Sequence, residues 1–414
     1  MTDTAAVPGT IDAGRWPDVV REPHVPIRAA VAREVLRGAV RDLGVRVRLP
    51  DGRLLGAGGP DAPELRIESG AFFHRLGADL KIGFGEAYLA GDWQTGPGTD
   101  LADLLTVFAA RLTELVPASL QRLRKLVEQR PPAVEDNDRE GALGNIQRHY
   151  DLSNELFAAF LDETMSYSAG WFAPGVDDLA TAQRHKVDGI LDLAAVGPGS
   201  RVLEIGTGWG QLALQAGRRG ATVHTVTLSA EQRDLAQRRI REAGLADRVT
   251  VRLCDYRDVT GRYDAVVSVE MIEAVGERYW PAYFAAVGRL LVPGGRFGLQ
   301  AITMPHDRML ATRHARGWVH KYVFPGGLIP SLTAIEAHSG AAGFAITARR
   351  SLGPDYARTL RLWRAAFVRN AGLVERLGFD AVFRRLWELY LAYAEAGFRS
   401  GYLDVWQLAL RREG

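Results

Sequence analysis

Apolar residues recur at helical spacing over residues 27–42 (IRAAVAREVLRGAVRD), then alternate from Val45 to Leu49 and stop at Pro50-Asp51-Gly52. That pattern predicts a helix, a strand and a turn. Apolar stretches at Leu65–Ile67 and 83–93 (GFGEAYLAGDW) lead into helical periods at 101–115 and 119–129, so residues 27–130 read as a small α+β domain behind a flexible leader, 1–26. Residues 131–144 (PPAVEDNDREGALG) sustain no core-facing period and read as a linker. From residue 178 helices alternate with short apolar strands: helix 179–194, strand 201–205, helix 210–219, strand 222–227, helix 230–243, strand 249–253 and strand 264–269. Such alternation predicts a parallel sheet covered on both faces, an α/β doubly wound arrangement, here occupying residues 145–414. Residues 356–410 read as largely helical additions to it.

Composition narrows the classes. At 414 residues with 47% hydrophobic and 24% charged, the chain is an ordinary folded protein of more than one domain. A net charge of +2 gives no field for holding nucleic acid, so no nucleic-acid partner is expected. Four of the 51 basic residues are lysine. The single cysteine, Cys254, excludes an internal disulfide and a cysteine-built zinc site, and no metal centre is expected. With neither a signal-type segment nor an apolar run of about 18 residues, the expected location is cytoplasmic, and any work on lipid is done from the membrane surface.

The segment VLEIGTGWG (202–210) sets Gly206, Gly208 and Gly210 between a strand end and a helix start, where glycine lets backbone approach a ligand. A nicotinamide dinucleotide site would want glycine at 211 and an acid after the second strand, but Gln211 and Thr227-Leu228-Ser229 stand there. No Gly-Lys-Ser/Thr follows, which removes the Walker loop. A nucleoside cofactor without pyrophosphate remains, and Glu204 suits one with a cationic amino-acid tail. S-adenosylmethionine has such a tail.

These features, with NIQRHYDLSNELF (145–157), MSYSAGWF (165–172), TLSAEQ (227–232), EMIEAVG (270–276), KYVFPGGLIPS (321–331) and GPDYARTL (353–360), resemble the cyclopropane fatty acid synthase family of S-adenosylmethionine-dependent methyltransferases. The resemblance runs from about residue 27 to 410. It implies a Rossmann-like methyltransferase domain behind a lipid-associated domain, acting on cis double bonds of acyl chains in membrane phospholipids. Residue by residue, Tyr167 and Ser168 match contacts to the methionine end of the cofactor, and Gly206 and Gly208 match the glycine loop. Thr227 and Gln232 match the ribose side, while Asp255 and Tyr256 match the positions flanking adenine.

An alkene is a poor nucleophile, so such an enzyme must align it with the sulfonium methyl in a dry apolar site and stabilise the carbocation that follows. Losing a proton from the new methyl closes a cyclopropane; a hydride shift before that loss gives an exocyclic methylene. In the family pattern the base is a bound bicarbonate, held by Cys, Glu, His and Tyr side chains and a backbone amide. The matching positions are Ala169, Glu273, Gln300, Tyr356 and the amide of Ile302. Ala169 offers no side-chain hydrogen bond and Gln300 takes no proton near neutral pH, which leaves bicarbonate held weakly, held differently, or replaced by another base. Glu273 is the strongest catalytic candidate, with Tyr356 and Gln300 beside it. Ala274 departs from the His usual after that Glu.

These departures resemble the actinobacterial branch associated with methyl-branched fatty acids. They favour a methylene product of the 10-methylene stearoyl type over a cyclopropane, with a separate reductase as partner for a later methyl branch. A small-molecule methyltransferase and a non-catalytic lipid-binding protein are the alternative classes. The resemblance also implies a homodimer. Residues 119–130 (SLQRLRKLVEQR) alternate leucines with basic residues, and a solvated face over a buried stripe is preferred there to an interfacial helix.

Overall fold

The computed structural model describes residues 9–111, 132, 136–138, 141–142, 144 and 152–412. The 119–130 segment and most of the expected linker lie outside the described residues. The chain divides into two compact units, one of residues 1–131, 314–324 and 360–402, the other of 132–313, 325–359 and 403–414.

The first unit carries a four-stranded sheet in the order Leu54–Leu55, Arg46–Arg48, Glu64–Ile67, Trp93–Thr95. Asp79 accepts from the amides of Lys81 and Ile82 to start the helix Leu80–Ala90, and Gly91 ends it at φ 83°. Two expectations change here. Residues 9–26 are not a loose leader: Trp16 and Val19 are buried, and the Arg75 guanidinium binds the carbonyls of Asp18, Val19 and Arg21. Residues 360–402, expected in the methyltransferase domain, belong to this unit, because the helix Ala381–Arg399 buries Leu386, Trp387, Leu389 and Leu391 in its core. Arg385 in that helix is fully buried, donates to the Tyr88 carbonyl at 2.7 and 2.9 Å, and lies 4.0 Å above the Tyr88 ring.

The second unit is built on a seven-stranded sheet: β1 Arg201–Ile205, β2 Thr222–Thr227, β3 Val249–Leu253, β4 Tyr263–Val269, β5 Leu291–Thr303, β6 Phe344–Ser351 and β7 Asp404–Arg412. The spatial order is β6-β7-β5-β4-β1-β2-β3. Strands β1 to β5 are mutually parallel, β7 pairs antiparallel with β5, and β6 pairs antiparallel with β7. The α/β doubly wound expectation therefore holds, with β7 as one antiparallel strand at one edge and β6 beyond it running in the direction of β1 to β5. The core lies on both faces: Leu203, Ile205, Val266, Phe284 and Phe297 on one, Val187, Ile190, Val202, Val223 and Val267 on the other. Alternate residues of β1 and β4 serve opposite cores, as a sheet covered on both sides requires.

The expected strands of this unit appear within a residue of their sequence bounds. Residues 404–410, expected within the largely helical stretch 356–410, instead belong to β7. Its apolar run WQLAL fits either period, and pairing with β5 from Arg296 to Thr303 decides it. Because the chain leaves β3 and returns on the other side of β1, the connections part between β1 and β4, where a doubly wound sheet opens its ligand crevice.

Candidate active site

A pocket opens at that crevice. It is lined by all nine expected cofactor positions, Tyr167, Ser168, Glu204, Gly206, Gly208, Thr227, Gln232, Asp255 and Tyr256, with Cys254 beside the last two. After β1 the backbone takes φ 97° at Gly206, 51° at Gly208 and 90° at Gly210, a turn that side-chain-bearing residues resist. Gly210 ends it against Ala236, and the helix Gln211–Arg218 begins. The amide oxygen of Gln232 is occupied by the Thr227 hydroxyl at 3.0 Å, leaving its N–H groups as donors for a ligand hydroxyl.

Glu204 is buried at the end of β1, its carboxyl is pushed up to about 8 by burial, and Oε2 has no hydrogen-bond partner among the described residues. An unsatisfied acidic oxygen in a pocket floored by glycine backbone fits the cationic tail and close approach of S-adenosylmethionine. At the far end Asp255 is turned onto Arg257, at 2.5 and 2.9 Å, and Tyr256 packs edge-on to Tyr283. The Tyr167 ring meets Phe157 and Phe160 edge-on, so an aromatic wall stands near Ser168.

The residues expected to share a bicarbonate are brought close but divide into two groups. Gln300 Nε2 and the Ala169 amide donate to Glu270 Oε1 at 2.8 and 2.9 Å, and the Tyr356 hydroxyl donates to Oε2 at 2.9 Å. Glu273 instead accepts from the Ile302 amide at 2.5 Å and leaves its buried Oε2 unpartnered. The donors expected around an external anion thus surround the carboxylate of Glu270. Ala169, which lacks a useful side chain, contributes through its backbone.

Glu270 follows β4 and stands at φ 49°, a left-handed conformation that costs a residue with a Cβ roughly 1–2 kcal/mol. It is held there by its own amide, which donates to the Gln300 carbonyl at 2.8 Å. Withdrawal from water raises the Glu270 pKa, while its three donors and the Lys186 ammonium oppose the rise. Glu273 is pushed up to about 8, first by burial and then by the Glu270 charge. Because the Glu270 charge acts on Glu273, Glu270 is the member of the pair that gives up its proton first.

Gln300 is oriented from a distance. Arg350 can only donate, so it fixes the oxygen of Gln407, 3.2 Å away; Gln407 Nε2 then donates to Gln300 Oε1 at 2.9 Å, which leaves Gln300 Nε2 facing Glu270. Strand register places Gln407 opposite Gln300.

Two site residues escape sequence reasoning. Glu270 lies within a quoted motif, but its role depends on a positive φ that no spacing announces. Lys186, in the helix Leu179–Leu193, is 3% exposed and donates to the Ser168 hydroxyl at 2.6 Å. Its signal was a lysine in an arginine-rich chain, sitting on the apolar face with Ala182, Val187 and Ile190.

A family model described as mycolic acid cyclopropane synthetase matches residues 137–408. The chain belongs to that family. It is 52% identical over 425 residues to tuberculostearic acid methyltransferase UfaA1 of Mycobacterium tuberculosis, covering 100% of this chain and 99% of that one. It is 33% identical over 352 residues to the cyclopropane-fatty-acyl-phospholipid synthase of Escherichia coli K12, covering 84% and 88%. Among solved structures, the family's CmaA1 complexed with SAH and CTAB superposes with a TM-score of 0.61 at 31% identity, over 65% of this chain and 98% of CmaA1. Membership makes the chain an S-adenosylmethionine-dependent enzyme of the methyltransferase and cyclopropane synthase kind, and the Rossmann-like expectation stands with it.

Proposed function

We propose that the protein methylates the cis double bond of an unsaturated acyl chain in a membrane phospholipid, with Glu270 as base and a methylene-bearing chain as product. The observation that carries this reading is the Glu270 carboxylate, lining the cofactor pocket and gripped by Ala169, Gln300 and Tyr356. Glu204, Gly206, Gly208, Thr227 and Gln232 would hold S-adenosylmethionine, with Tyr167 and Ser168 at its methionine end. When bound, that cofactor supplies an electrophilic methyl group, whose addition to the alkene leaves a carbocation on the neighbouring carbon.

The negative charge of Glu270 and the Tyr167 ring, both in the pocket lining, stabilise positive charge in the acyl chain. A hydride moving to the cationic carbon shifts the charge to the methyl-bearing carbon; a proton of the new methyl then passes to Glu270 Oε2, and its C–H electrons form the exocyclic double bond. Oε2 accepts one protein hydrogen bond against two at Oε1, so it has the freer lone pair. Glu270 thus takes the part expected of bicarbonate. Likeness to a tuberculostearic acid methyltransferase along the whole chain supports the methylene product. Its reduction to a methyl branch needs two electrons and two protons, which a separate reductase supplies.

Incubation with S-adenosylmethionine and vesicles of an oleoyl phospholipid is expected to give a methylene-bearing C19 chain, read by mass spectrometry and proton NMR. A cyclopropane as sole product would overturn the methylene assignment. Among the described residues no helix is long and apolar enough to cross a membrane. We place the enzyme as a homodimer on the cytoplasmic face of the membrane, testable by vesicle flotation and by light scattering.

A further inference from the structure

The mechanism above leaves one buried charge unused. Lys186 extends from the helix Leu179–Leu193 into the wall of the cofactor pocket, where its ammonium meets the Ser168 hydroxyl at 2.6 Å. From the same helix Gln183 Nε2 holds the Ser168 carbonyl at 2.8 Å, so one helix face fixes both ends of that residue. An ammonium has three donors. Among the described residues the Ser168 hydroxyl is the one hydrogen-bond partner of the Lys186 ammonium, which forms no ion pair within 4.0 Å; the Lys186 carbonyl accepts separately from Gln407. A buried cation with two donors unspent is costly unless a ligand accepts them. Burial pulls the ammonium down to about 8 against the opposing pull of Glu270, Asp162 and Glu204.

The pocket also lacks an evident counter-charge for one part of its ligand. The amino-acid tail of S-adenosylmethionine carries a carboxylate as well as an ammonium, and Glu204 suits the ammonium alone. Among the described lining residues the cations are Lys186 and Arg257, and Arg257 is committed to Asp255 at the adenine end. Resting on the S-adenosylmethionine reading of the pocket, we propose that Lys186 Nζ and Ser168 Oγ form the clamp for the carboxylate of the cofactor's methionine tail. Lysine suits a position that must present a compact charge beside a serine.

The test uses the full-length protein and calorimetric binding of two ligands: S-adenosylhomocysteine and S-adenosyl-3-thiopropylamine, which lacks only the carboxylate. Wild type is expected to prefer S-adenosylhomocysteine by about ten- to a hundredfold, the range of a charge-assisted hydrogen bond to a carboxylate. In Lys186→Met that preference collapses, through weaker S-adenosylhomocysteine binding, while thiopropylamine binding stays within about threefold. Equal weakening of both ligands would assign Lys186 to structure or to balancing Glu204 and Glu270, and would overturn the clamp; so would an undiminished preference. Should Lys186→Met fail to show a cooperative melt, Ser168→Ala serves, since it keeps the ammonium and is expected to cost S-adenosylhomocysteine several-fold with no matching loss for thiopropylamine. Wild type that binds neither ligand would instead defeat the cofactor reading itself.

Discussion

Glu270 and Glu273 stand three positions apart in one motif, and their surroundings treat them differently. Three donors and a nearby ammonium oppose the upward pull of burial on Glu270, whereas Glu273 has one amide donor and a repelling neighbour. Glu270→Gln is therefore expected to lower product formation by about 10²–10⁴-fold while leaving S-adenosylhomocysteine affinity nearly unchanged. Glu273→Gln, which mimics the protonated acid, should retain most activity; the reverse ranking in turnover assays would return the base to Glu273. Stability separates the two residues again. A carboxyl whose folded pKa is raised to about 8 stabilises the fold fully below its unfolded value near 4.5, and that contribution is lost as pH rises through 8. Glu273→Gln should thus gain on wild type between pH 5 and 8, by an amount on the order of a few kcal/mol, read from melting curves across that window.

The elements explain why these side chains stay in place. The amide of Gln300 has two orientations of nearly equal shape, and the choice is made two strands away by a guanidinium that can only donate. Gln407→Leu preserves volume but breaks the chain between Arg350 and Gln300. It is expected to reduce kcat by about ten- to a hundredfold through misoriented Gln300, with S-adenosylhomocysteine binding intact, as measured by turnover and calorimetry. The helix Gly353–Arg369 acts in a similar way over its first two turns: Asp355 accepts from the Phe172 amide, Thr359 accepts from the Gly170 amide, and Tyr356 between them reaches Glu270. The Ala169 amide is aimed by that anchorage and needs no side chain of its own.

At the scale of the whole molecule, each compact unit draws on distant stretches of chain. The N-terminal unit is completed by residues 314–324 and 360–402, and its buried charges are matched within it, Arg364 binding Asp100 at 2.9 Å and Glu395 at 3.2 Å. A chain beginning at residue 145 would keep the helix Ala381–Arg399 without the partners that cover it. Such a chain is expected to aggregate by light scattering during size-exclusion chromatography, because the stripped face carries Leu386, Trp387, Leu389 and Leu391. A well-behaved monomeric product of that length would show that the C-terminal helices do not need the N-terminal unit.

The sequence by itself determined the parallel half of the sheet and the glycine turn, because each is local. Strand and helix periods are written in consecutive residues, and the glycine loop joins one strand to the next helix. Tertiary structure alone decided three things: that 404–412 is a strand, since its period is ambiguous until β5 supplies partners; that residues 360–402 serve the first unit, since burial of a helix face depends on what it meets; and that the donors at Ala169, Gln300 and Tyr356 meet on Glu270. That last choice rests on a left-handed backbone at one residue and on donors contributed from positions 169, 300 and 356, which only the folded chain brings to a single carboxylate.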